Sequence, residues 1–375
     1  MKVLHVITDL ALGGAETVLF RLVSAVNVDV THRVVSLHTR GIYGPKLEAV
    51  GVHVDALEMP RGRVTGRGIR RLRAIVREFE PDVVQTHLYH ADLVGSFAAR
   101  TAGQAPVVWG VHSTELGSLR ATWKTRIVRR LCAVLSHSVP SAIVCAAEGT
   151  ARLHARFGYD REKLAVIQIG VDLAQFRPDE TERARVRTEW GVRPDEMTLG
   201  LLARWHPLKD HSTLLQALAI VAKSASRFRC ILAGNGMTME NTALMDLIQG
   251  NGVADRVLLL GVRSDVSAVM NGIDIHVLSS HSECSPLVVI EAMACGTPCV
   301  VTDVGDAALI VGDTGWIVPA RAPEALAAGI ESAMASIATH GKSSLGRQSR
   351  ARIEAHYSLK TMAGAYTALW NRVVS

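Results

Sequence analysis

The chain has 375 residues, 48% hydrophobic and 20% charged, with a formal net charge of +6. That length is generous for one compact core and comfortable for two, and the composition excludes a disordered or fibrous protein. No apolar run reaches the roughly 18 residues of a membrane span, and six cysteines without a Cys-x-x-Cys pair read as reduced thiols of a cytoplasmic protein.

The opening "MKVLHVITDLALGGAE" reads as a strand, with the Gly13–Gly14 turn leading into a helix, and not as a signal peptide. Further strands are expected at Val34–Leu37, Val83–Thr86, Val107–Val111, Ala142–Val144 and Leu164–Ile167. A second series is expected at Thr198–Leu202, Cys230–Ala233, Val257–Leu260, Ile273–Val277, Pro298–Val301 and Gly315–Val318. Runs rich in Val, Ile and Leu, separated by helical spacing, are the pattern of parallel sheets covered on both faces. Two series predict two doubly wound α/β domains, 1–170 and 171–355. A last amphipathic helix, Leu359–Val374, lies in a segment 356–375 expected to cross back to the first domain. Ligands of open α/β sheets bind at the C-terminal ends of strands, so the cleft between the domains is the expected active site.

Positive charge is uneven. Residues 1–170 hold 22 Lys and Arg against 14 Asp and Glu, whereas the remainder holds 19 against 21. Arg61, Arg63, Arg67, Arg70, Arg71, Arg73 and Arg77 have no acid among them, and Arg120, Lys124, Arg126, Arg129 and Arg130 form a second run. The second run interleaves with Leu119, Trp123, Ile127 and Leu131 at helical spacing. Such a helix can lie on an anionic bilayer, or pack on its own sheet with its cations in water.

The most informative stretch is "HSECSPLVVIEAMACGTPCVVTD", residues 281–303. Ser285 and Pro286 form a helix-start signal, Ser as N-cap and Pro as first helical residue. Gly296 ends the helix and Pro298 stops it from resuming. Glu283 then stands in the loop before the helix, and Glu291 lies roughly 8–9 Å from the helix start at ~1.5 Å per residue. Free N–H groups of Cys284, Leu287 and Val288 offer an anion site there. Both glutamates can be plain exposed acids near a helix dipole. Glu291, however, sits inside "LVVIEAMAC", where a charge is costly unless it faces a cleft or a partner. Upstream, "GLLARWHPLKDHSTLLQAL" puts Arg204 and Lys209 five apart in a loop after a strand. They can converge on a diphosphate or form an ordinary basic loop.

The segment "ECSPLVVIE", Glu283 to Glu291, with the following "AMACGTPCVVTDVG", resembles the E-x7-E motif of retaining GT-B glycosyltransferases of family 4, the group 1 glycosyl transferases. Arg204 and Lys209 resemble that family's Arg-x4-Lys donor-phosphate loop. "LAGNGMTMEN" and "LLLGVRSDVSAVM" resemble its intermediate landmarks. The resemblance covers nearly the whole chain and is more specific in the second half. It implies two Rossmann-like domains facing each other across a cleft, the first binding the acceptor and the second the nucleotide sugar.

The activity implied is retaining, metal-independent transfer of a hexosyl or N-acetylhexosaminyl group. The donor would be a nucleotide-diphosphate sugar, UDP favoured, and the acceptor a hydroxyl of a glycan or lipid-linked molecule in bacterial surface polysaccharide or glycan biosynthesis. His112, Glu283, Arg204 and Lys209 would be catalytic. Gly13, Gly14, Arg204, Lys209, Asn235, Val262, Arg263, Glu283, Cys284, Ser285, Leu287, Val288 and Glu291 would bind donor, while His90 and Asp92, read from "THLYHADLVG" itself, are acceptor or helix-cap groups. No D-x-D triplet occurs and no carboxylates cluster with His87, His90 and His112, so neither metal nor another cofactor is expected. Arg61–Arg77 and Arg120–Arg130 would meet an anionic membrane surface, placing the protein at the cytoplasmic face of the inner membrane. The "GDAAL" after "VVTDV" departs from the family pattern and leaves a donor contact near Asp306 open.

Three other readings use the same features. A sugar-nucleotide epimerase or hydrolase would consume donor without acceptor. A non-enzymatic nucleic-acid binder would use the basic runs, but no nucleic-acid motif accompanies them and nucleic acid is not expected as a partner. A nicotinamide-dependent oxidoreductase lacks a G-x-G-x-x-G after a strand.

Overall fold

In the computed structural model the chain forms two compact units, Met1–Gly170 with Leu359–Ser375, and Val171–Ser358. The structure describes all residues except 12, 26–28, 112–122 and 225–226, and the side chains of 123 and 124 are also outside it.

The first unit is built on β1 (Lys2–Ile7), β2 (Thr31–Ser36), β3 (His53–Ala56), β4 (Val83–His87), β5 (Val107–Val111), β6 (Ala142–Cys145) and β7 (Leu164–Val166). They form one parallel sheet in the order β3-β2-β1-β4-β5-β6-β7. β4, β5 and β6 are buried along their whole length, which is why they read as unbroken apolar runs. β3 was not expected. Its "HVDA" has one fully buried residue, Val54, at the sheet edge, so no apolar run marks it. The connecting helices are α1 (Gly14–Ala25), α2 (Tyr43–Ala49), α3 (Gly66–Phe79), α4 (Tyr89–Ala102), α5 (Trp123–Ser136) and α6 (Glu148–Arg156). α3 is started by Thr65, whose hydroxyl accepts the Gly68 N–H at 3.1 Å. It buries Leu72, Ile75 and Val76 and leaves Arg67, Arg70, Arg71 and Arg77 in solvent.

The second unit is a parallel sheet of β8 (Met197–Leu202), β9 (Phe228–Ala233), β10 (Val257–Gly261), β11 (Ile275–Leu278), β12 (Cys299–Thr302) and β13 (Trp316–Val318), in the order β10-β9-β8-β11-β12-β13. Its helices are α7 (Glu180–Glu189), α8 (His211–Ser224), α9 (Thr242–Gly250), α10 (Val266–Gly272), α11 (Leu287–Ala294), α12 (Ala307–Val311), α13 (Pro323–His340) and α14 (Lys342–His356). β11 begins at Ile275 and not at the expected Ile273, because Asp274 is used as an anchor. Its carboxylate accepts the Thr198 N–H at 2.8 Å and pairs with Arg183 at 2.5 Å and Arg187 at 3.1 Å.

The last helix, α15 (Leu359–Val374), belongs to the first unit. Tyr366 and Trp370 are buried, and the Trp370 indole N–H donates to Gln85 Oε1 of β4 at 3.1 Å. The chain returns at Ser358/Leu359 because Val171 and Ser358 form a bridge, and the Val171 N–H donates to the Tyr357 carbonyl at 2.8 Å.

Candidate functional site

Each sheet reverses its order of growth once, between β1 and β4 and between β8 and β11. Connections leave such a point in opposite directions and open a crevice at the C-terminal strand ends. In the second unit that point is flanked by the loop after β8, carrying Arg204 and Lys209, and the loop after β11, carrying Glu283.

Glycines brace the first loop. Gly234 has φ +138°, and a Cβ there would lie 2.2 Å from the Ala203 carbonyl oxygen. The Trp205 N–H donates to the Asn235 carbonyl at 2.7 Å. Arg204 is exposed between these contacts. The loop then closes in a 3-10 turn, Pro207–Lys209, which the second loop grips. The His281 N–H donates to the Leu208 carbonyl at 3.0 Å, and Ser279 Oγ to the Lys209 carbonyl at 2.9 Å. Two of the predicted residues therefore meet: the Lys209 ammonium donates to Glu283 Oε1 at 2.5 Å, and Ser280 Oγ donates to the same oxygen at 2.6 Å. Beneath them, His276 of β11 is fully buried, and neither ring nitrogen finds a partner among the described residues. Burial, with Lys209 nearby, lowers its pKa to about 3, so it is neutral.

The Glu283 loop rests on "VTDVGD". Gly305 has φ +56°, and a Cβ would lie 2.4 Å from the Cys284 carbonyl oxygen, which accepts the Asp306 N–H at 2.9 Å. Thr302 Oγ donates to the Ser280 carbonyl at 2.6 Å. Asp306 is thus fully buried and uses its backbone to hold the loop.

The helix start corrects the expected capping. Pro286, with φ −72° and ψ 98°, is itself the N-cap of α11, and no side chain caps the helix. Ser285 lies one residue too far out for that role, and its buried hydroxyl finds no partner among the described residues. The N–H groups of Leu287 and Val288 therefore open the helix, and both residues are half-buried. The other end matches the expectation. Gly296 takes φ +70°, and the Thr297 N–H donates to the Ala292 carbonyl at 2.9 Å. Glu291 is half-buried on a helix whose Val289, Ile290, Ala292 and Met293 are buried.

The remaining predicted residues divide. Val262 is exposed, and the Arg263 guanidinium turns to Glu189 at 2.5 Å and Asp265 at 2.7 Å. In the first unit, Gly13 and Gly14 follow β1 at its reversal point. A Cβ on Gly13 would meet the Glu16 carboxylate, a buried acid whose pKa is raised by burial and by Asp9. His90 is half-buried, and burial together with His38 lowers its pKa. Asp92 is a correction: it is fully buried and has no face for an acceptor. It accepts the Thr86 hydroxyl at 2.6 Å and the Gly110 N–H, and burial holds its pKa well above the carboxylate range. His87 turns into the sheet, 3.3 Å from His5. His112 lies outside the described residues, as do Leu119, Arg120 and the side chains of Trp123 and Lys124. Farther along α5, Ile127, Leu131 and Val134 are exposed on a stripe with Arg126 and Arg130, whereas Arg129 is buried beside Phe157. Among the described residues, no helix is long and apolar enough to cross a membrane.

Sequence reasoning missed Glu16, His276 and Ser280. Glu16 carried a signal, an acid directly after a glycine turn. His276 and Ser280 carried none, because the second face of a buried strand and a loop serine look alike whether or not a site lies above them.

Comparison with known proteins covers both units. The family description Glycosyltransferase Family 4 matches residues 12–175, and Glycosyl transferases group 1 matches residues 196–336. A protein of Bacillus subtilis named as glycosyltransferase EpsF is 28% identical over 319 residues, 80% of this chain and 79% of that one. The D-inositol 3-phosphate glycosyltransferase of Segniliparus rotundus is 34% identical over 186 residues, but the match spans only 48% of this chain and 41% of that one. The crystal structure of Anabaena HepE with UDP superposes with a TM-score of 0.85 at 21% identity, covering 99% of this chain and 100% of that one. With its halves matched in turn and the paired parallel sheets in common, the chain belongs to the family 4, group 1 glycosyltransferases and has their GT-B fold.

Proposed function

We propose that this glycosyltransferase moves a hexosyl or N-acetylhexosaminyl group, with retention and without a metal, from a nucleotide-diphosphate sugar to a hydroxyl of a glycan or lipid-linked acceptor. The observation that carries the donor reading is the Lys209–Glu283 pair at the β8/β11 crevice, beside the opening N–H groups of α11. A uridine diphosphate donor is favoured because HepE, of the same fold, has been crystallised with UDP and with UDP-glucose. Surface-polysaccharide or glycan biosynthesis is the pathway class we assign.

In this reading the bond from the anomeric carbon to the diphosphate oxygen lengthens while the acceptor oxygen closes on that carbon. The departing diphosphate takes the acceptor proton. Arg204, the two ammonium protons of Lys209 that Glu283 does not use, and the α11 N–H groups stabilise the charge growing on the diphosphate. Glu283 orients sugar hydroxyls and, by its ion pair, aims Lys209. Glu291 holds the ribose, and Asn235, Val262 and Arg263 flank the nucleotide. His112 attends the anomeric centre, and Gly13, Gly14 and His90 supply the first unit's contacts. No resident cofactor takes part. The α5 stripe and the α3 arginines seat the protein on an anionic cytoplasmic membrane surface where a lipid-linked acceptor would be presented.

The test is a thermal-shift panel of nucleoside diphosphates and nucleotide sugars, with and without chelator. A ligand that binds only the folded chain raises the melting temperature. One diphosphate should do so irrespective of chelator, and Arg204→Ala or Glu291→Ala should abolish its effect. Silence from every nucleotide would sink the donor site, and donor consumption without acceptor would make the protein a hydrolase or epimerase.

A further inference from the structure

At the opposite end of α11 from Leu287, the second unit holds a cavity of about 140 Å³. Arg183, Asn271, Gly296, Lys342, Arg347 and Arg350 line it. Its cations are unequally matched. Arg183 pairs with Asp274 at 2.5 Å, but Asp274 also serves Arg187 at 3.1 Å, and Glu180 is 3.9 Å from Arg183. Arg350 pairs with Glu354 at 2.7 Å and donates to the Ala294 carbonyl that ends α11 at 2.5 Å. The half-buried Lys342 donates its ammonium protons to the carbonyls of Ile273 at 2.7 Å and Asn271 at 3.2 Å, yet forms no ion pair among the described residues. Arg347 is exposed and makes neither a hydrogen bond nor an ion pair among them. The lining cations Arg183, Lys342, Arg347 and Arg350 thus stand against the lining Glu180 and the ion-pair partners Asp274 and Glu354, an excess of one positive charge around the cavity, and Asp274 is shared with Arg187.

Helix-end carbonyls account for part of this cluster, since cations favour the C-terminal ends of α10 and α11. They do not account for the excess. A buried ammonium facing only neutral carbonyls pays for its lost hydration, and burial followed by the neighbouring Arg183 lowers the Lys342 pKa to about 7. Asp274 and Glu180 act in the other direction and do not cancel it. An anion in the cavity would remove both penalties. Glycine sets the wall of the cavity: a Cβ on Gly346 would lie 2.2 Å from the Gly296 carbonyl oxygen, so α14 packs directly against the backbone that ends α11 and brings Lys342, Arg347 and Arg350 to it.

We infer that this cavity binds a small, doubly charged inorganic oxyanion of the phosphate or sulfate class, at a site separate from the donor loops. The Arg–carbonyl and Lys–carbonyl contacts hold the ring of cations in place, and Arg347, unpaired at its rim, closes on the anion.

The experiment melts the full chain in rising sulfate or phosphate, in the low-millimolar range, against a fixed excess of sodium chloride. The chloride keeps ionic strength constant and sets aside the general stabilisation that sulfate gives at high concentration. A saturable rise in melting temperature is expected, lost in Arg347→Glu and retained in Arg204→Ala, because the donor loop is also cationic. No saturable rise, a rise that survives Arg347→Glu, or a rise lost in Arg204→Ala would each overturn the assignment. Glycerol phosphate is run in parallel, and a stronger response to it than to inorganic phosphate would make this a phosphate-monoester site and overturn the inorganic one. Circular dichroism of Arg347→Glu, matched to the parent, excludes loss of fold as the cause.

Discussion

At the scale of single residues, the Arg204–Lys209 and Glu283 loops depend on backbone that only glycine can supply. Gly305 combines φ +56° with a Cβ that would sit 2.4 Å from the Cys284 carbonyl oxygen, one residue from the carboxylate that holds Lys209. Gly341 also has a positive φ, +77°, but nothing within 4 Å of its Cβ. Gly341→Ala should therefore cost only backbone strain, about 1 kcal/mol, and leave turnover unchanged. Gly305→Ala should cost roughly 2–3 kcal/mol and also displace Glu283, lowering kcat/KM at least tenfold. Urea unfolding read beside sugar-transfer kinetics separates the two, and equal kinetics for both variants would show that the Glu283 loop does not need this brace. The sequence displayed Gly305 inside "VVTDVG". It could not display the carbonyl the glycine makes room for, since that carbonyl belongs to another loop.

At the scale of elements, apolar runs located every strand but β3 because each buries a continuous face. They failed where burial is partial. β3 has one fully buried residue at a sheet edge, and the expected capping of α11 by Ser285 gave way to Pro286 because the incoming loop is tied to Gly305 and Asp306. The second basic run also divides by face. Arg129 is 4% exposed and packs beside Phe157, whereas Ile127, Leu131 and Val134 are 57%, 45% and 68% exposed beside Arg126 and Arg130. A stripe of that kind costs little to replace if only water meets it. Replacing the three apolar residues with serine should leave the melting temperature within a degree or two or raise it. It should also reduce co-flotation with phosphatidylglycerol vesicles several-fold. Undiminished flotation would move the proposed membrane contact from the α5 stripe to the α3 arginines.

At the scale of the whole molecule, several histidines are held as neutral rings by burial. His5 is hydrogen-bonded to His32 at 3.0 Å and to His87 at 3.3 Å, on the sheet face that Trp370 of α15 also covers. Burial, then its two histidine neighbours, holds the His5 pKa well below 6.5, and burial lowers His32, His154 and His211 to about 4. The unfolded chain takes up those protons first, so their contribution to stability is intact above pH 6.5 and falls as pH drops toward 4. Each of these rings contributes up to about 1.4 kcal/mol per pH unit in that window, with His5 and His32 titrating together. The melting temperature should fall gently from pH 8 to 7, where the lowered pKa of Lys342 already contributes, and steeply below pH 6. A flat profile to pH 5 would mean that these rings are hydrated.

The sequence by itself determined the two doubly wound sheets and the last helix, and it singled out the Arg204–Lys209 loop and the Glu283–Glu291 segment, which the fold joins at Lys209 and Glu283. Burial on both faces of a parallel strand forces long apolar runs, and a helix start beside a ligand restricts residue types over a short stretch. Tertiary structure alone decided that Lys209 and Glu283 share a proton-bearing contact, that Asp92 is buried in the first unit, and that four cations of the second unit line one cavity. Each of those depends on residues tens of positions apart being brought within a few ångströms, and a linear pattern contains no record of that distance.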